Sequence, residues 1–169
     1  DYPGFGDSTF DFDPKHGYAS GTMKAIWDNI RAVDLLVSLP QVDASRIGVI
    51  GHSLGGHNAM FTAAFEPRLR VIVSNCGFTR FHKDDVPSWT GPRYMPRIRT
   101  RFGSSADRMP FDFPEIIGML APRPFWRSPP SGIATSTTRA YSTQSTPPGP
   151  SMDSMLPAVR CRRPTPISS

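Results

Sequence analysis

The sequence predicts an α/β fold, a parallel sheet flanked by helices, and three observations carry that prediction. Helix-like and strand-like segments alternate through residues 1–126 of the 169-residue chain. Two short apolar runs, RIGVI at 46–50 and LRVIVSNC at 69–76, are rich in branched residues and bounded by turn signals, as strands buried in a parallel sheet are. A serine flanked by glycines, Gly51-His52-Ser53-Leu54-Gly55, stands between the first run and the helical segment that follows it.

The elements follow in order. DYPGFGDS, residues 1–8, is a loop in which Pro3, Gly4 and Gly6 allow sharp bends. From about Gly21 to Leu39 the apolar residues Met23, Ile26, Ile30, Val33 and Leu36/Val37 recur at helical spacing, predicting one face toward a core. Pro40 closes this helix. VDAS, 42–45, is a turn in which the Asp43 side chain bonds the backbone two residues on. The first strand comes next, then a helix over Leu54 to Phe65 and the second strand. Residues 97–109 read as loop and short helix. FPEIIGML, 113–120, is a short helix, and Ala121-Pro122-Arg123-Pro124 leads toward a further strand beginning at Pro124-Phe125-Trp126.

Beyond Trp126 the composition changes to Ser, Thr, Pro and Arg, with no helical or strand period. Such a stretch buries too little apolar surface to offset the entropy of ordering it. The expected organisation is a core at 1–126 and a disordered tail at 127–169. The net charge of +5 belongs to the tail. Residues 1–126 carry 14 Lys+Arg against 13 Asp+Glu, a net of +1, whereas 127–169 carry five Arg and one Asp, a net of +4. Apart from Tyr141 the tail has no aromatic residue to stack on bases, so nucleic acid is not an expected partner. No stretch is long and apolar enough to span a membrane. Cys76 and Cys161 form neither a disulfide framework nor a metal spacing, and Cys76 reads as a buried small hydrophobe.

The strand–serine–helix junction is the G-x-S-x-G pattern in the context its chemistry needs. A serine on such a hinge takes strained backbone angles that aim its Oγ out of the sheet. Side chains two residues to either side are expected to collide with the strand and helix, which Gly51 and Gly55 avoid, and Gly56 adds room for close packing. The helix that starts at Leu54 directs free N–H groups and the positive end of its dipole toward the serine. Ser53 is therefore the candidate nucleophile, and the Leu54 backbone N–H the candidate oxyanion donor.

VDASRIGVIGHSLGGHNAMFTAAFEPRLRVIVS resembles the α/β-hydrolases of the dienelactone-hydrolase and acetyl-xylan-esterase type, and DYPGFGDS resembles the loop after an earlier strand in those families. The resemblance covers about residues 1–126. It implies a serine hydrolase that cleaves carboxylic esters through an acyl-enzyme, with a small-molecule or carbohydrate ester as substrate and no metal or organic cofactor. It also implies the chain order Ser, Asp or Glu, then His. The histidines, however, are His16, His52, His57 and His82, none of them in the second half of the chain. His52 points away along the elbow, His57 is a packed or capping residue of the helix, and His16 lies in an early polar loop. His82, near Asp84 and Asp85, reads as part of a solvated loop. The strand that should precede the acid dissolves into the tail, where Asp153 is the one carboxylate and stands in no recognisable context.

The expectation is an incomplete α/β-hydrolase core with both flanks gone and without its triad acid and base, hence inactive as written. One reading of the tail is a slip of reading frame. Displacing the codons of Trp126 to Thr137 by one base is compatible with a peptide that begins as a buried strand and ends in a carboxylate-bearing loop. A genuine disordered extension is the other reading. Two alternatives to the esterase remain: a non-catalytic binding or scaffold relative, and a peptidase or other activity on the same fold. Trp89, Tyr94, Phe78 and Phe81 either line a substrate cleft or pack a long loop onto the core.

Overall fold

The starts and stops of the elements are set by short-range chemistry. The computed structural model describes residues 2–10 and 14–128; apart from Arg127 and Ser128, the tail and the frame-slip reading of it lie outside the described residues. Helix α1, Gly21–Ser38, begins where the Ser20 Oγ accepts from the Met23 N–H at 3.0 Å. It ends two residues before Pro40, with the Leu39 N–H donating to the Leu36 carbonyl. In the turn that follows, Asp43 Oδ1 accepts from the Ser45 N–H at 2.9 Å and the Ser45 hydroxyl at 2.6 Å. These bonds favour the ionised form and hold the Asp43 carboxyl below its usual pKa.

Strand β1, Gly48–His52, leads through Ser53 into α2, Leu54–Phe65, and the chain returns as β2, Val71–Asn75. After two 3₁₀ turns, Phe81–Lys83 and Val86–Thr90, come the short helix α3, Arg97–Phe102, then α4, Phe113–Leu120, and β3, Phe125–Ser128. Helix α4 opens with a capping box: the Asp112 side chain accepts from the Glu115 N–H, and Glu115 reaches back to the Asp112 N–H at 2.8 Å. The same Asp112 Oδ1 accepts from the Phe81 N–H at 3.1 Å, tying the long loop to this helix.

The sheet is parallel, in the order β1-β2-β3. Parallel neighbours need a crossover, and α2 supplies the first and α4 the second. The core lies between α2, α4 and the sheet, where Met60, Ala63, Ile72, Phe113 and Leu120 are all but excluded from solvent. Arg123 locks this layer together: its guanidinium donates to the carbonyls of Ala63 (2.7 Å), Glu66 (3.1 Å) and Leu69 (3.1 Å) at the C-terminal end of α2 and just beyond.

Two expectations about burial need correction. Strand β1 is not a buried central strand, since it pairs only with β2 among the described residues, and Ile50 is 76% exposed. Register places Ile50, Val73 and Trp126 side by side on the face opposite α2, and Trp126 too is 43% exposed. Helix α1 likewise buries Thr22, Ala25 and Val33, but leaves Met23 and Leu36 largely exposed. Its outer part lies beyond the edge of β1 and borders a groove with Ile47, Val49 and Ile50. Periodicity chose the helix correctly; the neighbour present on each side chose which apolar residues are covered. No helix among the described residues is long and apolar enough to cross a membrane.

Candidate active site

Ser53 occupies the corner between β1 and α2 with φ 52° and ψ −120°. A positive φ on a non-glycine residue costs about 1–3 kcal/mol, and it persists only where surrounding structure enforces it. Here the enforcement is visible on both sides. The Ser53 N–H donates to the Asn75 carbonyl at 2.8 Å, and its own carbonyl accepts from the His57 N–H at 3.1 Å. The serine is thus clamped between the end of β2 and the first turn of α2, and its side chain is exposed.

The glycines divide differently from the expectation. A Cβ at Gly51 would stand 2.0 Å from the Gly55 carbonyl oxygen, so no other residue fits there. A Cβ at Gly56 would stand 2.9 Å from Ser74 Oγ and 3.0 Å from the Gly51 carbonyl oxygen. At Gly55 a Cβ would meet nothing within 4 Å. The close-packing requirement therefore falls on Gly51 and Gly56. What Gly55 contributes is its carbonyl, pressed against the Cα of Gly51.

Among the described residues the Leu54 N–H has no acceptor, as expected for the first residue of a helix. It stands next to Ser53 at the positive end of the α2 dipole. Ser53 Oγ likewise has no hydrogen-bond partner among the described residues. His52 is exposed beside it. His82 lies on the Phe81–Lys83 turn, 58% exposed, with Nε2 3.5 Å from Asp107 Oδ1. Its neighbour Asp84 is engaged elsewhere, accepting from Trp89 Nε1 at 2.9 Å. The His82, Asp84 and Asp85 group is thus a surface loop.

His57, one helical turn beyond Ser53, is fully buried. Its ring packs 4.4 Å from Phe61 and 4.9 Å from Trp89 between centroids, and neither ring nitrogen has a partner among the described residues. Burial pushes its pKa down to about 4, so the imidazole is neutral at pH 7 and a weak base. It is a packed residue of the helix.

The end of β2 contains a second strained corner. Cys76 has φ 52°, and its N–H donates to the Ser128 carbonyl at 3.1 Å. It is half-buried rather than fully buried, with Sγ donating to Asn75 Oδ1 at 3.3 Å. Gly77 next to it is forced by space: a Cβ there would lie 2.3 Å from Ser74 Oγ and 2.6 Å from the His57 nitrogen. The pairing His52↔Asn75↔Ser128 brings the C-terminal ends of all three strands together at the edge that holds Ser53. Sequence reading missed this second corner because Asn75-Cys76-Gly77 carries no motif.

The four aromatics of the long loop divide as well. Phe81 is 1% exposed and Phe78 stacks on Phe113 at 5.1 Å, so these two pack the loop onto the core. Tyr94 instead lines a cleft of ≈ 320 Å³ with Gly4, Phe10 and Arg93. The opening loop is fastened nearby. Tyr2 Oη and Thr22 Oγ1 are 3.0 Å apart, and burial raises the Tyr2 pKa to about 12. No group of three or more His, Cys, Asp or Glu among the described residues could hold a metal ion.

Comparison with known proteins agrees with this geometry. The model of the alpha/beta hydrolase family matches residues 1–167. The hydrolase YtaP of Bacillus subtilis is 32% identical over 103 residues, covering 59% of this chain and 31% of that protein. The 4-O-methyl-glucuronoyl methylesterase 1 of Sodiomyces alcalophilus is 26% identical over 128 residues, covering 63% of this chain and 25% of that protein. The chain thus spans less than a third of the length of either relative. Among solved structures, a glucuronoyl esterase from Solibacter usitatus superposes with a TM-score of 0.55 at 26% identity, over 79% of this chain and 36% of that one. The family match runs over nearly the whole sequence, and the described fold is the one that match requires: the chain belongs to the alpha/beta hydrolase family.

Proposed function

We propose that the chain carries the nucleophile corner of a serine carboxylic-ester hydrolase. Ser53 is the nucleophile, the Leu54 N–H is an oxyanion donor, and a carbohydrate ester is the substrate. The observation that carries this reading is the strained Ser53 backbone, φ 52° and ψ −120°, at the strand-to-helix turn. A fold does not hold a serine in that conformation without several enforcing contacts. Attack by Oγ on an ester carbonyl would place the developing oxyanion at the α2 N-terminus, where the unpaired Leu54 N–H and the helix dipole stabilise it. The choice of ester is supported by the relatives, which are named as hydrolases and glucuronoyl esterases.

A serine hydroxyl needs a base within hydrogen-bond reach, and Ser53 Oγ has none among the described residues. Loss of a triad partner costs about 10⁴-fold or more in kcat. The chain as written is therefore expected to turn over p-nitrophenyl acetate little or not at all. Fluorophosphonate modification read by peptide mapping tests the nucleophile separately. Ser53 should react slowly at pH 7 and faster when imidazole is added as a surrogate base, and Ser53→Ala should abolish the labelled peptide. Labelling that is unchanged by Ser53→Ala rejects the proposal. The missing base is also what favours the second reading, a non-catalytic binding or scaffold relative. A folded chain whose Ser53 stays silent even with imidazole would decide for it.

A further inference from the structure

Helix α2 begins without the side-chain cap that α1 and α4 have. At the start of α1 the Ser20 Oγ accepts from the Met23 N–H, and at the start of α4 Asp112 and Glu115 form a capping box. Ser53 stands at the same position of α2 and is of a residue type that caps well, yet its side chain bonds no N–H of the helix among the described residues. A hydroxyl that is to attack an ester cannot also serve as a cap. The first turn of α2, which carries the Leu54 N–H, is therefore held by other means.

Two contacts hold it. At Gly77 the backbone beyond β2 comes so close that a Cβ would stand 2.5 Å from the Gly56 carbonyl carbon and 2.6 Å from the His57 nitrogen. The second contact is Trp89, half-buried on the Val86–Thr90 turn, whose own Val86 and Thr90 are buried. The Trp89 ring meets the buried His57 ring edge-on, 4.9 Å between centroids, and lies 5.8 Å from Phe113 of α4. The His57 N–H donates to the Ser53 carbonyl at 3.1 Å, so whatever fixes His57 also fixes the backbone of the serine. Trp89 is itself pinned by two bonds. Its Nε1 donates to Asp84 Oδ2 at 2.9 Å, and its carbonyl accepts from the Met95 N–H at 2.9 Å.

We infer that Trp89 is a positioning residue for Ser53: by clamping His57 it holds the first turn of α2 where the Leu54 N–H meets the developing oxyanion. This role rests on the hydrolase reading of Ser53. An uncapped helix end frays unless packing restrains it, and a misplacement of about 1 Å at the reacting atoms slows a reaction by as much as about 100-fold. The His57–Trp89 pair thus does by packing what a capping side chain does by a hydrogen bond, and leaves the Ser53 hydroxyl free. Trp89 acts here through His57 rather than by lining a substrate cleft, and the two roles differ in what they change: a clamp governs the rate of attack, a cleft residue governs how tightly the reagent is held.

Fluorophosphonate labelling of Ser53 in the full chain, with imidazole as base and over a range of reagent concentrations, separates the two. Trp89→Leu should lower the limiting rate about tenfold and leave the half-saturating concentration within about twofold, and Trp89→Phe should restore the rate to within about threefold of wild type. Asp84→Ala, at an exposed site, removes the bond to Nε1 and should slow labelling about threefold. Trp27→Leu, on α1, is the control and should change neither quantity. A second readout does not involve the chemistry of the serine: exchange of the His57 amide, followed by NMR, should be about tenfold faster in Trp89→Leu, with the amides of α1 within about twofold. An unchanged limiting rate, a raised half-saturating concentration in its place, equal losses in the Leu and Phe variants, or unchanged His57 exchange each overturn the inference. Should Trp89→Leu fail to fold, Asp84→Ala decides by the same two readouts, and no change in either overturns it. Should wild-type Ser53 not be labelled at all, the hydrolase reading falls, and exchange at His57 still decides whether Trp89 is the clamp.

Discussion

His57 should make the fold lose stability on mild acidification, and the size of the loss follows from its burial. The imidazole is fully buried among Phe61, Trp89 and Phe113, and its pKa is pushed down to about 4 from an ordinary 6.5. In the unfolded chain it takes up a proton below about pH 6.5, whereas the folded chain resists until about pH 4. Between those values the unfolded state binds more protons, so stability falls as pH falls and levels off below the folded pKa. The loss from this group is about 2 kcal/mol at pH 5 and about 3 kcal/mol at pH 4, with none at pH 7. Carboxylates also titrate in this range, so the comparison must be differential. His57→Leu keeps the volume, removes the titrating group and removes two buried nitrogens that have no partner among the described residues. Urea unfolding followed by tryptophan fluorescence at pH 7 and pH 5 gives the loss for each protein. The variant should lose about 2 kcal/mol less than the wild type over this interval. Parallel losses in the two proteins would refute the reasoning, because His57 would then titrate alike in the folded and unfolded chain.

Three further outcomes are expected. Gly51→Ala puts a Cβ 2.0 Å from the Gly55 carbonyl and should destabilise the fold by more than about 3 kcal/mol and end Ser53 labelling, whereas Gly55→Ala meets open space and should be neutral or stabilising by up to about 1 kcal/mol; urea unfolding of the pair checks both. Arg123→Met removes four charge-assisted bonds to the carbonyls of Ala63, Glu66, Leu69 and Leu120 and should cost about 2–3 kcal/mol by the same measurement. Ile50→Lys should reduce concentration-dependent self-association in sedimentation velocity, since it places a charge in the apolar row of exposed Ile50, half-buried Val73 and exposed Trp126 at the edge that β1 leaves unpaired among the described residues.

Much of this was legible in the amino-acid order. Pro40, the Asp43 turn and the glycine-flanked Ser53 announced their roles because each acts on its own backbone within a few residues. Helix α2 falls on the expected residues, Leu54–Phe65, for the same reason. The assignment of Gly51 and Gly55 as an equivalent pair failed, since one Cβ position faces a carbonyl and the other faces open space. Cys76 shows the same limit, because its strained backbone follows from the end of β2 being tied to Ser128, a residue far along the chain.

The sequence by itself determined the alternation of strands and helices and the place of the Ser53 corner between β1 and α2, both of which depend on spacing along the chain. Only the tertiary structure decided that Ile50 on β1 is exposed, that His57 is a neutral imidazole sealed under Trp89, and that Arg123 closes α2. The reason is physical. Backbone preference is a property of neighbouring residues, whereas burial, pKa and hydrogen-bond partnership are set by groups that folding brings together from distant parts of the chain.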